Sequence, residues 1–189
     1  VVVLLTPSDW IVRWSHILKP GATVLDVACG SGRHLAWFSD RGHPVTGIDI
    51  DIASARHSVE GAELIATDLE GSAWPLRNGT GLRQFGAVVI TNYLWRPLWD
   101  TLIQSVAPGG VFLYETFSIR NASIGRPSRP DFLLRPGELL DVCSDMHVIA
   151  YEDGYLQNPP RFVQRIAAVQ PTNAAPSNPE SHRCALWVK

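Results

Sequence analysis

The run Val24-Leu25-Asp26-Val27-Ala28-Cys29-Gly30-Ser31-Gly32-Arg33 limits what this chain can fold into more than any other stretch. Apolar residues lead to an acid, two glycines sit two apart, and a helical pattern begins directly after them. That order reads as a buried strand, a tight turn and a helix N-terminus. Glycine has no Cβ, so at Gly30 and Gly32 the backbone is free to adopt positive φ and to lie against a ligand. In an open α/β sheet, ligands bind at the carboxyl ends of the strands, where the strand order reverses.

The remaining pattern repeats strand and helix. Thr6-Pro7-Ser8-Asp9 reads as a helix start with Thr6 as cap, and Trp10, Ile11, Trp14, Ile17 and Leu18 share one face of that helix. Strands are expected at about 23–28, 44–49, 63–67, 85–91, 111–116, 148–152 and 162–169. Helices are expected at about 32–41, 52–59, 97–106 and 136–144. Residues 67–84 and 117–135 show neither period and read as loops. This alternation predicts an α/β fold, doubly wound around a mainly parallel sheet. The last two strands have no helix between them, so a hairpin joins them and one of the two runs antiparallel. Residues 1–169 read as a single domain and 170–189 as a flexible C-terminal tail.

Charge and cysteine usage exclude several classes. A net charge of −2 gives no bulk attraction for nucleic acid. Cys29, Cys143 and Cys184 are odd in number and far apart, which suits neither a disulfide framework nor a metal site. The histidines show no ligand spacing either, so no metal is expected. Val1–Leu5 is apolar but too short to cross a bilayer, and no targeting signal is visible, so the expectation is a cytoplasmic protein with no membrane partner. Lys19 and Lys189 are the only lysines, so positive charge is almost all arginine and a lone arginine marks no site.

The ends of the expected strands carry the chemistry. Asp49 closes the second strand, and a carboxylate there accepts both ribose hydroxyls of an adenosine. Asp51 reads as a helix cap. Asp68-Leu69 closes the third strand, with a turn-forming Asp as the competing explanation. Thr91-Asn92-Tyr93-Leu94-Trp95 follows the fourth, and Pro108-Gly109-Gly110 reads as a turn into the fifth. A dinucleotide turn needs G-x-G-x-x-G, but Leu35 occupies the third glycine position.

Asp26-x-Ala28-x-Gly30-x-Gly32 instead resembles the acidic-x-G-x-G-x-G pattern of class I S-adenosylmethionine-dependent methyltransferases, with Ala28 replacing the first glycine. Asp49, Asp68 and Pro108-Gly109-Gly110 follow in order at that family's spacing. The resemblance spans about residues 8–169 and is nearest to small bacterial stand-alone members, including the tellurite-resistance type. It implies a Rossmann-like, seven-stranded sheet with one antiparallel strand near the edge, and S-adenosylmethionine as cofactor. Asp26, Ala28, Gly30 and Gly32 would then lie along the methionine portion. Asp49 and Ile50 would meet the ribose, Asp68 and Leu69 the adenine, and Asn92 would face them across the switch point. The implied reaction is in-line methyl transfer to a small-molecule acceptor. Members that methylate nucleic-acid amino groups carry Asn/Asp-Pro-Pro-aromatic after the fourth strand, and this chain lacks both prolines. The alternatives are a nicotinamide-dinucleotide-dependent oxidoreductase, which Leu35 disfavours, and a non-catalytic S-adenosylmethionine-binding partner subunit.

No residue stands out as a base. Glu115, at the end of the fifth strand, and Tyr93 are the candidates. The competing readings are a structural carboxylate paired with arginines and an aromatic packed in the core. His34 reads as exposed on its helix. The segment 117–135 is expected to form a lid over the acceptor. Arg126 and Arg129 would bind an anionic group there beside Tyr93, since guanidinium pairs bidentately with carboxylate or phosphate.

Overall fold

The computed structural model describes residues 6–172. The readings for Val1–Leu5, for Cys184 and for the tail beyond Thr172 lie outside the described residues.

The first half alternates as expected: α1 (Asp9–Trp14), β1 (Val24–Val27), α2 (Arg33–Ser39), β2 (Val45–Asp49), α3 (Ala53–Ser58) and β3 (Glu63–Ala66). Two short strands follow, β4 (Arg77–Asn78) and β5 (Gly81–Leu82), and then β6 (Phe85–Thr91), α4 (Trp99–Gln104) and β7 (Val106–Phe117). The chain continues through α5 (Glu138–Val142), β8 (His147–Gln157) and β9 (Pro160–Val169). Seven strands form one sheet in the order β3-β2-β1-β6-β7-β9-β8. Every neighbouring pair is parallel except β7–β9 and β8–β9, so β9 is the reversed strand, one in from the edge.

Two apolar layers cover the sheet. Leu25, Val88, Ile90 and Phe112 point to one face, under α4 and α5, where Leu102 and Leu139 meet them. Val24, Val45, Val89 and Leu113 point to the other, against Trp10, Leu35 and Phe38 of α1 and α2. Burial on both faces explains why β6 reads as a continuous apolar run. Strand order reverses between β1 and β6, which places the switch point at the carboxyl ends of those two strands.

Four local expectations are corrected. The N-cap of α1 is Ser8, not Thr6: its Oγ accepts the Trp10 N–H at 3.2 Å. The stretch 67–84 is not a bare loop, for it folds the β4–β5 hairpin and buries Leu69, Trp74 and Leu76. Pro108-Gly109-Gly110 lies inside β7 at a register irregularity rather than before it. Finally, Gln170 is still paired, accepting from the Gly109 N–H and donating to the Gly110 carbonyl, both at 2.9 Å, so the ordered chain runs past Val169.

The segment 117–135 is closed at its neck. Ile119 N–H donates to the Leu134 carbonyl and Leu134 N–H to the Phe117 carbonyl, both at 2.9 Å. Buried Asn121 donates to the Pro127 carbonyl and accepts the Phe162 N–H, which fastens the loop to β9.

Candidate cofactor and acceptor site

The turn after β1 is left-handed three times, at Ala28 (φ 55°), Gly30 (54°) and Gly32 (79°). This is why the second and third positions are glycine, and why Ala28 sits where the related pattern has one. A Cβ at Gly32 would stand 3.1 Å from the Ala55 Cβ, so the start of α2 packs directly on α3. Leu35 is fully buried, and its Cδ1 would stand 2.6 Å from a Cβ at Gly47. The third-glycine position therefore serves helix–sheet packing with a side chain.

Asp49 joins the turn to β2. Its Oδ2 accepts the Gly30 N–H at 2.8 Å and its Oδ1 the Asp51 N–H at 3.1 Å. The carboxylate is thereby held at the mouth of a cavity of about 470 Å³, lined by Ala28, Asp49, Ile50, Thr67, Asp68, Leu69, Glu70 and Tyr93. Asp51 accepts the Ala53 N–H at 2.9 Å, the capping role read from its position. Asp68 makes the turn that was its competing explanation, its Oδ1 accepting the Glu70 N–H at 2.9 Å, and it also lines the cavity. Ile50 is 71% exposed at the rim, offering an apolar surface to a planar base. Asp49, Asp68 and Glu70 line this cavity, and among the described residues no basic side chain does.

Tyr93 closes one wall. Its hydroxyl is buried without a hydrogen-bond partner. Burial first, then the charges of Glu70, Asp68 and Asp49, push its pKa far above the ordinary tyrosine value. Both causes disfavour the ionised hydroxyl. Cys29 is similarly held as a thiol, by burial and then by Asp26 and Asp49.

Asp26 lies under the turn, 1% exposed, with neither carboxylate oxygen hydrogen-bonded. His34 is beside it, its Nδ1 3.7 Å from Oδ2. His34 is 1% exposed, which overturns the expectation of a surface histidine. Its Nε2 accepts the Ser8 N–H at 3.1 Å, so in the neutral ring the proton sits on Nδ1, toward Asp26.

Glu115 is also 1% exposed. Its Oε1 accepts from Ser8 Oγ at 3.1 Å and from Arg161 at 3.2 Å, and its Oε2 from Arg165 at 3.3 Å. The arginine-paired reading is the one the structure supports. Asn92, with φ 56°, is exposed at the end of β6 and flanks the cavity without lining it. Trp99 stacks on Tyr114 in the core, at 5.2 Å between ring centroids.

The loop arginines do not reach this site. Arg126 and Arg129 are exposed; Arg129 pairs with Asp131 at 3.1 Å and lies over Phe132. The arginines at the sheet's carboxyl edge are Arg33, Arg161 and Arg165, none of which was singled out from the sequence. Only Arg33 had a readable signal, since it directly follows Gly32 at the switch point.

Residues 24–110 match the sequence family described as a methyltransferase domain. No curated protein matches the chain. Among solved structures, TehB from Haemophilus influenzae superposes with a TM-score of 0.70 at 19% identity, covering 87% of this chain and 62% of TehB. This chain thus spans under two thirds of that protein. A S-adenosylmethionine-dependent methyltransferase from Methanosarcina mazei gives 0.65 at 15% identity, over 89% of this chain and all (100%) of that one. The 1,6-didemethyltoxoflavin-N1-methyltransferase of Burkholderia thailandensis, solved with its namesake compound and S-adenosylhomocysteine, gives 0.59 at 17% identity, over 85% and 75%.

Proposed function

We propose that this chain is a class I S-adenosylmethionine-dependent methyltransferase and that it methylates a small-molecule acceptor by in-line displacement, a reading supported by the match of residues 24–110 to a methyltransferase domain. The observation that carries the reading is the sign of the cavity's charge. Asp49, Asp68 and Glu70 face it and, among the described residues, no basic one lines it. S-adenosylmethionine brings a sulfonium and an ammonium against one carboxylate, whereas a nicotinamide dinucleotide brings an anionic diphosphate. At an effective dielectric near 20, one unit charge ~6 Å from a carboxylate is worth roughly 3 kcal/mol. The acidic wall therefore favours the sulfonium cofactor and opposes the dinucleotide.

The residues present fit that cofactor. Asp49 retains acceptor capacity for ribose hydroxyls, Ile50 and Leu69 offer apolar contact to a base, and the orphaned Asp26 carboxylate favours a cation above the turn. The bound cofactor supplies a methyl group already activated by positive charge. The chain's own contribution is to hold the acceptor in line with it, which can lower a barrier by about 7–11 kcal/mol in favourable cases. Both oxygens of Glu115 are engaged by Ser8, Arg161 and Arg165, so on this reading the acceptor atom presents its own lone pair without help from that carboxylate. A small molecule suits this site better than nucleic acid, for which the chain's net charge of −2 offers no attraction. No helix among the described residues is long and apolar enough to cross a membrane.

Calorimetry of the full chain with S-adenosylmethionine, S-adenosylhomocysteine and NAD tests this reading. Binding of the first two and not the third supports it; binding of NAD alone, or of none, overturns it.

A further inference from the structure

A second group of charges lies at the carboxyl ends of the strands, outside the residues that line the acidic cavity. Strand register places Thr91 beside Glu115 and Glu115 beside Arg165 along the carboxyl ends of β6, β7 and β9. Arg33 enters this row from α2. Its Nη2 donates to Thr91 Oγ1 at 3.3 Å and its Nη1 to the Thr6 carbonyl at 3.2 Å. Both acceptors are neutral and both bonds are long for a guanidinium. Arg161 donates to Glu115 through one terminal nitrogen, while its buried Nε has no hydrogen-bond partner. The Ser118 hydroxyl, at the end of the same strand β7 and 1% exposed, is also unpaired. Buried donors without acceptors are uncommon and call for an explanation.

The charges do not balance either. Arg165 is committed to Glu152 at 2.6 and 2.9 Å, and Arg13 also pairs with Glu152 at 3.2 Å. Glu115 and Glu152 thus face Arg13, Arg33, Arg161 and Arg165. Asp26 adds a negative charge near Arg33, which leaves this group an excess of one positive charge. Burial lowers the pKa of Arg33, and the nearby Arg161 adds to that against the opposing pull of Asp26 and Glu115. Arg33 bonds Thr91, Arg161 bonds Glu115, and Thr91 and Glu115 are register neighbours, so the two guanidiniums lie along one stretch of the edge.

Resting on the methyltransferase reading, we propose that Arg33 and Arg161 seat a carboxylate of the methyl acceptor. The acceptor is then a small organic acid whose carboxylate bridges the two arginines and fills the donor capacity they leave open. A monoanion matches the modest excess of positive charge better than a phosphate dianion. The seat lies on the sheet edge, away from the exposed arginines of 117–135.

The test uses the full chain saturated with S-adenosylhomocysteine, titrated calorimetrically with acetate, benzoate, acetamide, benzamide and inorganic phosphate. At least one acid should bind roughly tenfold or more tightly than its amide, since hydrogen bonds between charged groups carry that much discrimination. Arg33→Gln and Arg161→Gln should each weaken the acid by roughly tenfold, with S-adenosylhomocysteine affinity kept within about threefold as the check on folding. Arg161→Lys, which keeps charge but loses the fork, should fall between. Acids and amides binding alike, neither acid binding, phosphate binding in their place, or Gln variants binding as the wild type would each overturn the proposal. Failure of S-adenosylhomocysteine itself to bind would instead overturn the cofactor reading, so the two failures are distinguishable.

Discussion

The left-handed turn makes a graded and signed prediction. Ala28 holds φ at 55°, a conformation that costs an L-residue about 1–2 kcal/mol. Ala28→Gly removes that cost but adds unfolded-chain entropy of about 0.4–1 kcal/mol. The Ala28 methyl borders the cavity and is half-buried, so little packing is lost. The net is a gain of about 0.5–1 kcal/mol, or a Tm higher by roughly 1–4 °C for a chain of this size. Gly30→Ala reverses the sign at similar size, because its new Cβ would meet nothing within 4 Å and only the φ of 54° matters. Gly32→Ala should be worse, about 2–4 kcal/mol, since its Cβ would also press on the Ala55 Cα at 3.2 Å, backbone that cannot swing away. Urea and thermal unfolding of the three variants, read beside wild type, give the order Ala28→Gly, wild type, Gly30→Ala, Gly32→Ala. A lower Tm for Ala28→Gly together with a higher one for Gly30→Ala would refute the reasoning.

Tyr93→Phe should leave the pH profile of kcat unshifted, because the hydroxyl it removes never ionises in the working range; loss of a basic limb in that profile would contradict this. Arg126→Gln with Arg129→Gln should leave the acceptor KM within about twofold, as exposed arginines away from the cavity carry little energy, and a large rise in KM would restore the lid reading. Glu138 makes a pH-stability prediction. Burial pushes its pKa up, but hydrogen bonds from Arg96 and the Arg135 N–H outweigh this and hold it below the ordinary value. Its stabilisation is therefore present above the unfolded-state pKa of about 4.3 and lost as pH falls through the lower folded value. Glu138→Gln should flatten the acid limb of stability against pH, measured by urea unfolding between about pH 2 and 6.

Local pattern carried most of the sheet. β6 and β1 could be read because each is buried on both faces, and Asp49 and Asp68 because strand ends in this topology face one edge. What escaped was tertiary. His34 follows a polar-looking helical start, and nothing local shows that Ser8, 26 residues away, will bury it. Arg161 and Arg165 sit on the reversed strand, so their meeting with Glu115 depends on a register that only the folded hairpin sets. The β4–β5 hairpin has a local signal, the Asn78-Gly79 pair, whose turn chemistry suits a tight connection between two short strands. The loop arginines differ for the opposite reason: the segment is fastened through buried Asn121, Leu133 and Leu134, while Arg126 and Arg129 face solvent.

Glu115 shows why a carboxylate at a catalytic-looking position need not do acid–base chemistry. Its two oxygens are taken up by the Ser8 hydroxyl, Arg161 and Arg165, so it serves to hold these three groups at the ends of β7 and β9. The same Ser8 gives its N–H to His34, which stands against Asp26 beneath the cofactor turn. One residue of the N-terminal segment thus ties the acidic half of the site to the basic edge. Arg33 adds a second tie, through the Thr6 carbonyl. The positions of Asp26 and of the guanidiniums at the ends of β7 and β9 are therefore set jointly. On the proposed reading the barrier is lowered by alignment rather than by proton transfer, and a displaced edge would then cost rate even with every reacting group still present.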